Sequence, residues 1–155
     1  TPGTATVRMT REQVLMESAR LWAKRSTCSR AYVGASIVRD GRVLMSGYNG
    51  APPGLTHCDH RCSCGANPIH RAYCNSLGHC QRTIHAEQNA LNYCARNGVA
   101  TEGAEIYVTL SPCLACAKSI ISAGIVMVTY DEAYRDTSGI NLLAEAGIGV
   151  SKYPE

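Results

Sequence analysis

Phenylalanine is missing from this 155-residue chain, tryptophan occurs once, and aromatic residues together make up 6 %. A protein that stacks successive bases of a nucleic-acid strand needs aromatic platforms along a basic groove. Neither shows in the sequence. Lys and Arg are scattered, no run of them reaches five, and the formal net charge is only +3. No nucleic-acid partner is expected, while a positive pocket for a phosphorylated small molecule remains compatible with this balance. No apolar run approaches the roughly 18–20 residues of a membrane span. The first residues, TPGTATVRMT, hold no hydrophobic signal core, so neither membrane association nor export is expected. There is no internal repeat and no low-complexity tract. The length fits one domain with a core of its own, with no need of metal to compensate for small size. Residues 1–9 read as an N-terminal extension and residues 10–155 as that domain.

Cysteine, by contrast, is abundant, with nine residues, an odd number. Without an export signal this argues against a disulfide framework and for metal ligands or buried thiols in a reducing compartment. The stretch from His57 to Glu87, HCDHRCSCGANPIHRAYCNSLGHCQRTIHAE, contains all five histidines and five of the cysteines.

Around that stretch the pattern is regular. TREQVLMESARLWAKR reads as a helix, with Thr10 as cap and Gln13 at the capping-box position. Val14, Leu15, Ser18, Leu21 and Trp22 form a mostly apolar stripe at helical spacing. VGASIVRDGRVLMSGY reads as a hairpin turning at Asp40-Gly41. A long irregular loop at about 51–84 follows, and a loop of this length is expected to be functional or stapled. Then come a helix from His85 to near Gly98 and a strand EIYVTL. A helix with Pro112 near its start and Gly124 past its end follows, then a strand IVMVTY, a helix TSGINLLAEAG and a strand IGVSKY. Strands alternating with helices imply parallel pairing with helices on both faces of the sheet.

The chemistry gathers in two short motifs, His85-Ala86-Glu87 and Pro112-Cys113-Leu114-Ala115-Cys116. A Cys-x-x-Cys pair alone also fits a thioredoxin-like redox site. Joined to His-Ala-Glu, with each motif opening a helix, it offers one imidazole and two thiolates. Three such ligands leave the fourth tetrahedral position of Zn²⁺ open, the mark of a catalytic site. Helix N-termini favour thiolate. Zinc lowers the pKa of a bound water from about 15.7 toward ~7. Glu87 stands two residues beyond His85, close enough to take up a proton without being a ligand.

This H-x-E…P-C-x-x-C pattern is the one given for zinc deaminases of nucleobases. With STCSRAYVGASIVRDGRVLMSGYNGAPPG, CQRTIHAEQNAL, EIYVTLSPCLACAKSIISAGI and VTYDEAY, the sequence resembles deoxycytidylate (dCMP) deaminases of bacterial and phage type, within the zinc-dependent cytidine deaminase superfamily. The resemblance implies a three-layer α/β/α fold with a mixed five-stranded sheet. It implies hydrolysis of dCMP, or a 5-substituted dCMP, to dUMP and ammonia, supplying dUMP for thymidylate synthesis. It implies a catalytic zinc on His85, Cys113 and Cys116, with Glu87 as proton shuttle. Asn49 would contact the nucleotide and Tyr134 would lie near base and sugar. Arg96 would match a position tied to regulation by dCTP and dTTP. A homo-oligomer, often a hexamer, and a cytoplasmic location (the host's, if phage-encoded) follow from the same likeness.

The resemblance also implies a structural zinc on Cys28, Cys58, and His79 or Cys80, stapling the loop. Cys62, Cys64, Cys74, His60 and His70 lie in extra loop residues and would exchange with that set or build another site. Plainer roles stand beside these: Asn49 as a turn residue tolerating positive φ, Tyr134 as a packing aromatic, Arg96 as a solvated charge at a helix end. Cys94, near Ala86 and Ala90 on one stripe, reads as core. Two other functions remain open at this level. One is a different zinc deaminase, acting on cytidine, guanine or a nucleic-acid base. The other is an inactive scaffold serving as a zinc-dependent binding module.

Overall fold

The structure, a computed structural model, describes residues 7–27, 31–55 and 80–154. Helix α1 (Arg11–Ala23) begins with the capping box that the sequence predicts. The Gln13 N–H donates to Thr10 Oγ1 at 3.1 Å, and the Thr10 N–H donates to Gln13 Oε1 at 2.7 Å. Strands β1 (Gly34–Arg39) and β2 (Arg42–Tyr48) form the predicted hairpin. Asp40 and Gly41 at its tip both have positive φ, 53° and 71°. That pair of left-handed residues matches the strand twist, which is why Asp-Gly suits the turn. The register shifts between Ile37 and Val38, where β2 carries one extra residue as a bulge.

The remaining elements are α2 (Ala86–Arg96), β3 (Glu105–Leu110), α3 (Leu114–Ser122), β4 (Met127–Glu132), α4 (Ser138–Glu145) and β5 (Gly149–Lys152). They complete one sheet in the order β2-β1-β3-β4-β5. β1 runs antiparallel to both its neighbours, so β2 and β3 point the same way, and β3, β4 and β5 are parallel. The chain therefore crosses the sheet in one direction through three helical crossovers. Right-handed crossovers taken in one direction place their helices on one face.

The two cores follow that division. Ala90, Leu91 and Cys94 of α2, Ala117 and Ile120 of α3 and Leu143 of α4 pack with Ile37, Ile106, Val108 and Val128. On the opposite face Leu15, Met16 and Ala19 of α1 pack with Val38, Tyr107 and Tyr153. Alternate strand residues serve alternate faces, as the period of two requires. The expected mixed five-stranded, three-layer α/β/α arrangement is what the chain forms.

Two local expectations are corrected. The buried face of α1 is Leu15, Met16, Ala19 and Ala23, whereas Val14, Leu21 and Trp22 are 50 %, 63 % and 39 % exposed. The cause is close backbone approach. A Cβ on Gly34 would lie 1.9 Å from the Ala19 carbonyl oxygen and 2.5 Å from Ala23 N. Only the alanines of α1 fit against Gly34 at that distance, so Ala19 and Ala23 meet β1 there, Leu15 and Met16 pack beside them, and Val14, Leu21 and Trp22 turn outward. Ser18 sits at the boundary, its hydroxyl 3.1 Å from that of Ser36, and Trp22 stacks on Tyr48 with ring centres 6.0 Å apart. Strand β4 also starts two residues later than the run 125–130 predicts. The Ile125 N–H is already donated to the Ile120 carbonyl at the end of α3.

This assignment of the buried face has a direct check in urea unfolding. Met16→Ala, at a fully buried position, is expected to lower stability by about 2–5 kcal/mol. Leu21→Ala is expected to stay within roughly 0.5 kcal/mol of wild type. Comparable losses at both positions would put Leu21 in the core.

Candidate active site and metal centre

Because β2 and β3 point the same way, the helices that follow them start at one edge of the sheet. His85 is the N-cap of α2 and Cys113 the N-cap of α3. Cys116 lies in the first turn of α3. The approach to α2 is held on both sides: Gly50 and Ile84 exchange N–H···O bonds of 3.2 and 2.8 Å, and the Tyr48 N–H donates to Asn89 Oδ1 at 3.3 Å. His85 Nδ1 consequently stands 3.4 Å from Cys113 Sγ and 3.3 Å from Cys116 Sγ.

The electrostatics follow from those contacts. The Cys113 thiol is drawn down to about 4, first by its hydrogen bond with Cys116 and then by His85. The His85 imidazole is raised by its hydrogen bond to Cys113. Cys116 is pushed up, because it shares its proton with Cys113 and is buried. Glu87, only 3 % exposed, holds its proton more tightly than an ordinary carboxylate, mainly through burial.

A zinc ion fits this set. A tetrahedral ion with ordinary Zn–N and Zn–S bonds needs an N–S separation of roughly 3.5 Å, close to the two distances observed. The three ligand atoms lie within 4.8 Å of one another, and no other group among the described residues offers such an arrangement. Two of the donors, His85 and Cys113, face a cavity of about 420 Å³ lined also by Val33, Asn49, Cys80, Thr83, Glu87, Leu110, Ser111 and Tyr134, with Cys116 buried behind them. The cavity volume is in the range of small-molecule sites, about 300–1,000 Å³.

Residues 9–132 match the model of the cytidine and deoxycytidylate deaminase zinc-binding region. The chain belongs to the cytidine and deoxycytidylate deaminase family. It is 45 % identical over 147 residues to ComE operon protein 2 of Bacillus subtilis, covering 94 % of this chain and 72 % of that one. It is 36 % identical over 171 residues to the deoxycytidylate deaminase of Enterobacteria phage T4, covering 91 % and 89 %. The crystal structure of dCMP deaminase from cyanophage S-TIM5 in complex with dCMP and dUMP is similar with a TM-score of 0.77 at 34 % identity, over 94 % of this chain and all of that one.

Of the residues singled out from the sequence, His85, Glu87, Cys113 and Cys116 converge in this deaminase fold. Asn49 is buried in the cavity wall and does not take positive φ; its side chain accepts the Val33 N–H at 2.9 Å and donates to the Ala31 carbonyl at 2.6 Å. Tyr134, 42 % exposed, stands at the cavity rim. Cys80 also lines the cavity, its Sγ 3.3 Å from Thr83 Oγ1. Arg96 is exposed in the last turn of α2, roughly 16–17 Å along the helix from His85 and outside the cavity. Cys94 is fully buried in the core. Cys28, Cys58, Cys62, Cys64, Cys74, His60, His70 and His79 lie outside the described residues. Ser111 was not foreseen. Its buried hydroxyl accepts the Tyr134 N–H at 2.7 Å and so ties the cavity rim to the segment bearing Cys113. Its place directly before Pro112-Cys113 is the one signal that could have marked it.

Zinc analysis of purified protein tests the donor set. His85→Ala and Cys116→Ser are each expected to hold one ion fewer per chain than wild type. An unchanged zinc content in both variants would show that the metal is bound elsewhere.

Proposed function

We propose that this enzyme removes the 4-amino group of deoxycytidine 5′-monophosphate by hydrolysis, giving dUMP and ammonia. The observation that carries the reading is a buried carboxylate, Glu87, on the same helix turn as a metal ligand and facing a cavity of nucleotide size. Its neighbours in sequence include deoxycytidylate deaminases, and its fold matches an enzyme solved with dCMP and dUMP. A zinc ion on His85, Cys113 and Cys116 would supply the Lewis acid that makes water nucleophilic at neutral pH. Glu87 then serves as the proton carrier. Its carboxylate would take a proton from the attacking water and deliver it to N3 of the cytosine ring, then take the remaining proton of the hydroxyl added at C4 and pass it to the departing amine as the C4–N bond breaks. Burial raises the proton affinity of Glu87 above that of an exposed carboxylate, the direction that suits a group that must both accept and donate.

The cavity walls support a mononucleotide rather than a strand. A strand needs successive stacking aromatics, and Tyr134 is the single Tyr, Phe or Trp side chain lining the cavity among the described residues. Asn49 spends one acceptor and one donor on the Ala31–Val33 segment. A primary amide has two of each, so one hydrogen and one lone pair are left for the nucleotide. We assign Asn49 and Tyr134 to substrate contact on that basis. We further assign a second, structural zinc to the cysteine- and histidine-rich loop, with Cys80 at its inner end.

Glu87→Gln separates chemistry from assembly. Ammonia release from dCMP is expected to fall by about 10²–10⁴-fold, with zinc content and melting temperature at least equal to wild type. Substantial turnover by the variant would overturn the mechanism. For the loop metal, wild type is expected to carry more than one zinc per chain and Cys58→Ser one fewer, with the His85-dependent ion retained. One ion per chain in wild type would remove the structural site.

A further inference from the structure

We propose that Gly47 and Gly139 are positioning residues for the metal centre, each setting one half of the donor set through a backbone contact that a side chain would block. This inference rests on His85, Cys113 and Cys116 being the zinc ligands. Gly47 lies in β2 beneath the first turn of α2. A Cβ there would stand 2.4 Å from the Ala86 carbonyl oxygen, 2.6 Å from Ala90 N and 2.9 Å from Ala90 Cβ. Ala86 is the residue between His85 and Glu87. Gly139 lies in the first turn of α4, against the other half of the site. A Cβ there would stand 2.1 Å from the Pro112 carbonyl oxygen and 2.8 Å from the carbonyl carbon and oxygen of Cys113.

Neither glycine has positive φ, so neither is present for the left-handed backbone that glycine alone adopts readily. Helix propensity makes Gly139 the more informative case, since alanine is favoured over glycine within a helix. What both positions share is space. Their would-be neighbours are backbone atoms and one Cβ, none of which can rotate aside. Relieving either contact would need a displacement of roughly 1 Å. Metal sites hold their ligands to within about 0.2 Å, and a misplacement of 1 Å far from the chemistry can cost about 10²-fold in rate. Because the two glycines press on opposite halves, a methyl group at either one moves His85 and Glu87 relative to Cys113 and Cys116.

Gly34 supplies the control. It makes the same kind of contact, at 1.9 Å, but against α1 on the opposite face of the sheet. The experiment uses cobalt-substituted full-length protein, the visible bands of this centre being those abolished by His85→Ala. Gly139→Ala and Gly47→Ala are expected to fold, to shift those bands, and to lose them to a chelator at least tenfold faster than wild type. Gly34→Ala is expected to melt at lower temperature while keeping wild-type bands and release. Wild-type bands and release in Gly139→Ala and Gly47→Ala would overturn the proposal. So would an equal change in Gly34→Ala, or failure of both site variants to fold with zinc present, since each would reduce the glycines to general packing. Absence of any His85-dependent band in wild type would instead remove the zinc reading on which the proposal stands.

Discussion

The structure depends on one topological constraint: after the hairpin, the chain steps across the sheet in a single direction through crossovers of one hand. That constraint puts α2, α3 and α4 on one face and their N-termini at one sheet edge. Two helix starts separated by 28 residues of sequence are thereby brought side by side. The deaminase site exists because each of those starts carries a short ligand motif. Neither motif could hold an ion alone, since one supplies a single imidazole and the other two thiols.

Convergence at helix starts also settles the local electrostatics. The orphan N–H groups of a first helical turn favour negative charge, so the thiolates and the Glu87 carboxylate occupy the places where charge is least unfavourable. Burial of Glu87 works against this and is the cost of keeping its proton available. The same compromise is visible at Asn49, a buried polar side chain whose amide is partly committed to holding Ala31 and Val33 in the cavity wall. Ser111 does comparable work on the opposite wall.

What was legible in the sequence was whatever is encoded locally. The capping box at Thr10 and Gln13, the Asp40-Gly41 turn, and the His85/Glu87 and Cys113/Cys116 motifs need only a few neighbouring residues to be recognised. The buried face of α1 was not legible, because its polar and apolar residues are weakly segregated and the decision lies with Gly34 on another element. Gly139 is similar. Its sequence neighbours say only that it starts a helix, while its significance comes from Pro112, which the fold places against it. Asn49 shows the intermediate case: the family resemblance pointed to the cavity while its residue type fitted a turn equally well, and its bonds to Ala31 and Val33 depend on a chain crossing that no spacing reveals.

The bulge in β2 has a consequence beyond the bend it introduces. β2 and β5 are the two outer strands of the sheet, and outer strands expose unpaired backbone groups to any other extended chain. The extra residue in β2 breaks the even spacing of those groups, so an incoming strand cannot stay in step along it. At the other border β5 is only four residues long and ends on Lys152. One border is out of phase and the other is short and closed by a lysine, features that disfavour strand addition at either side of the sheet while the ends of its strands carry the catalytic site.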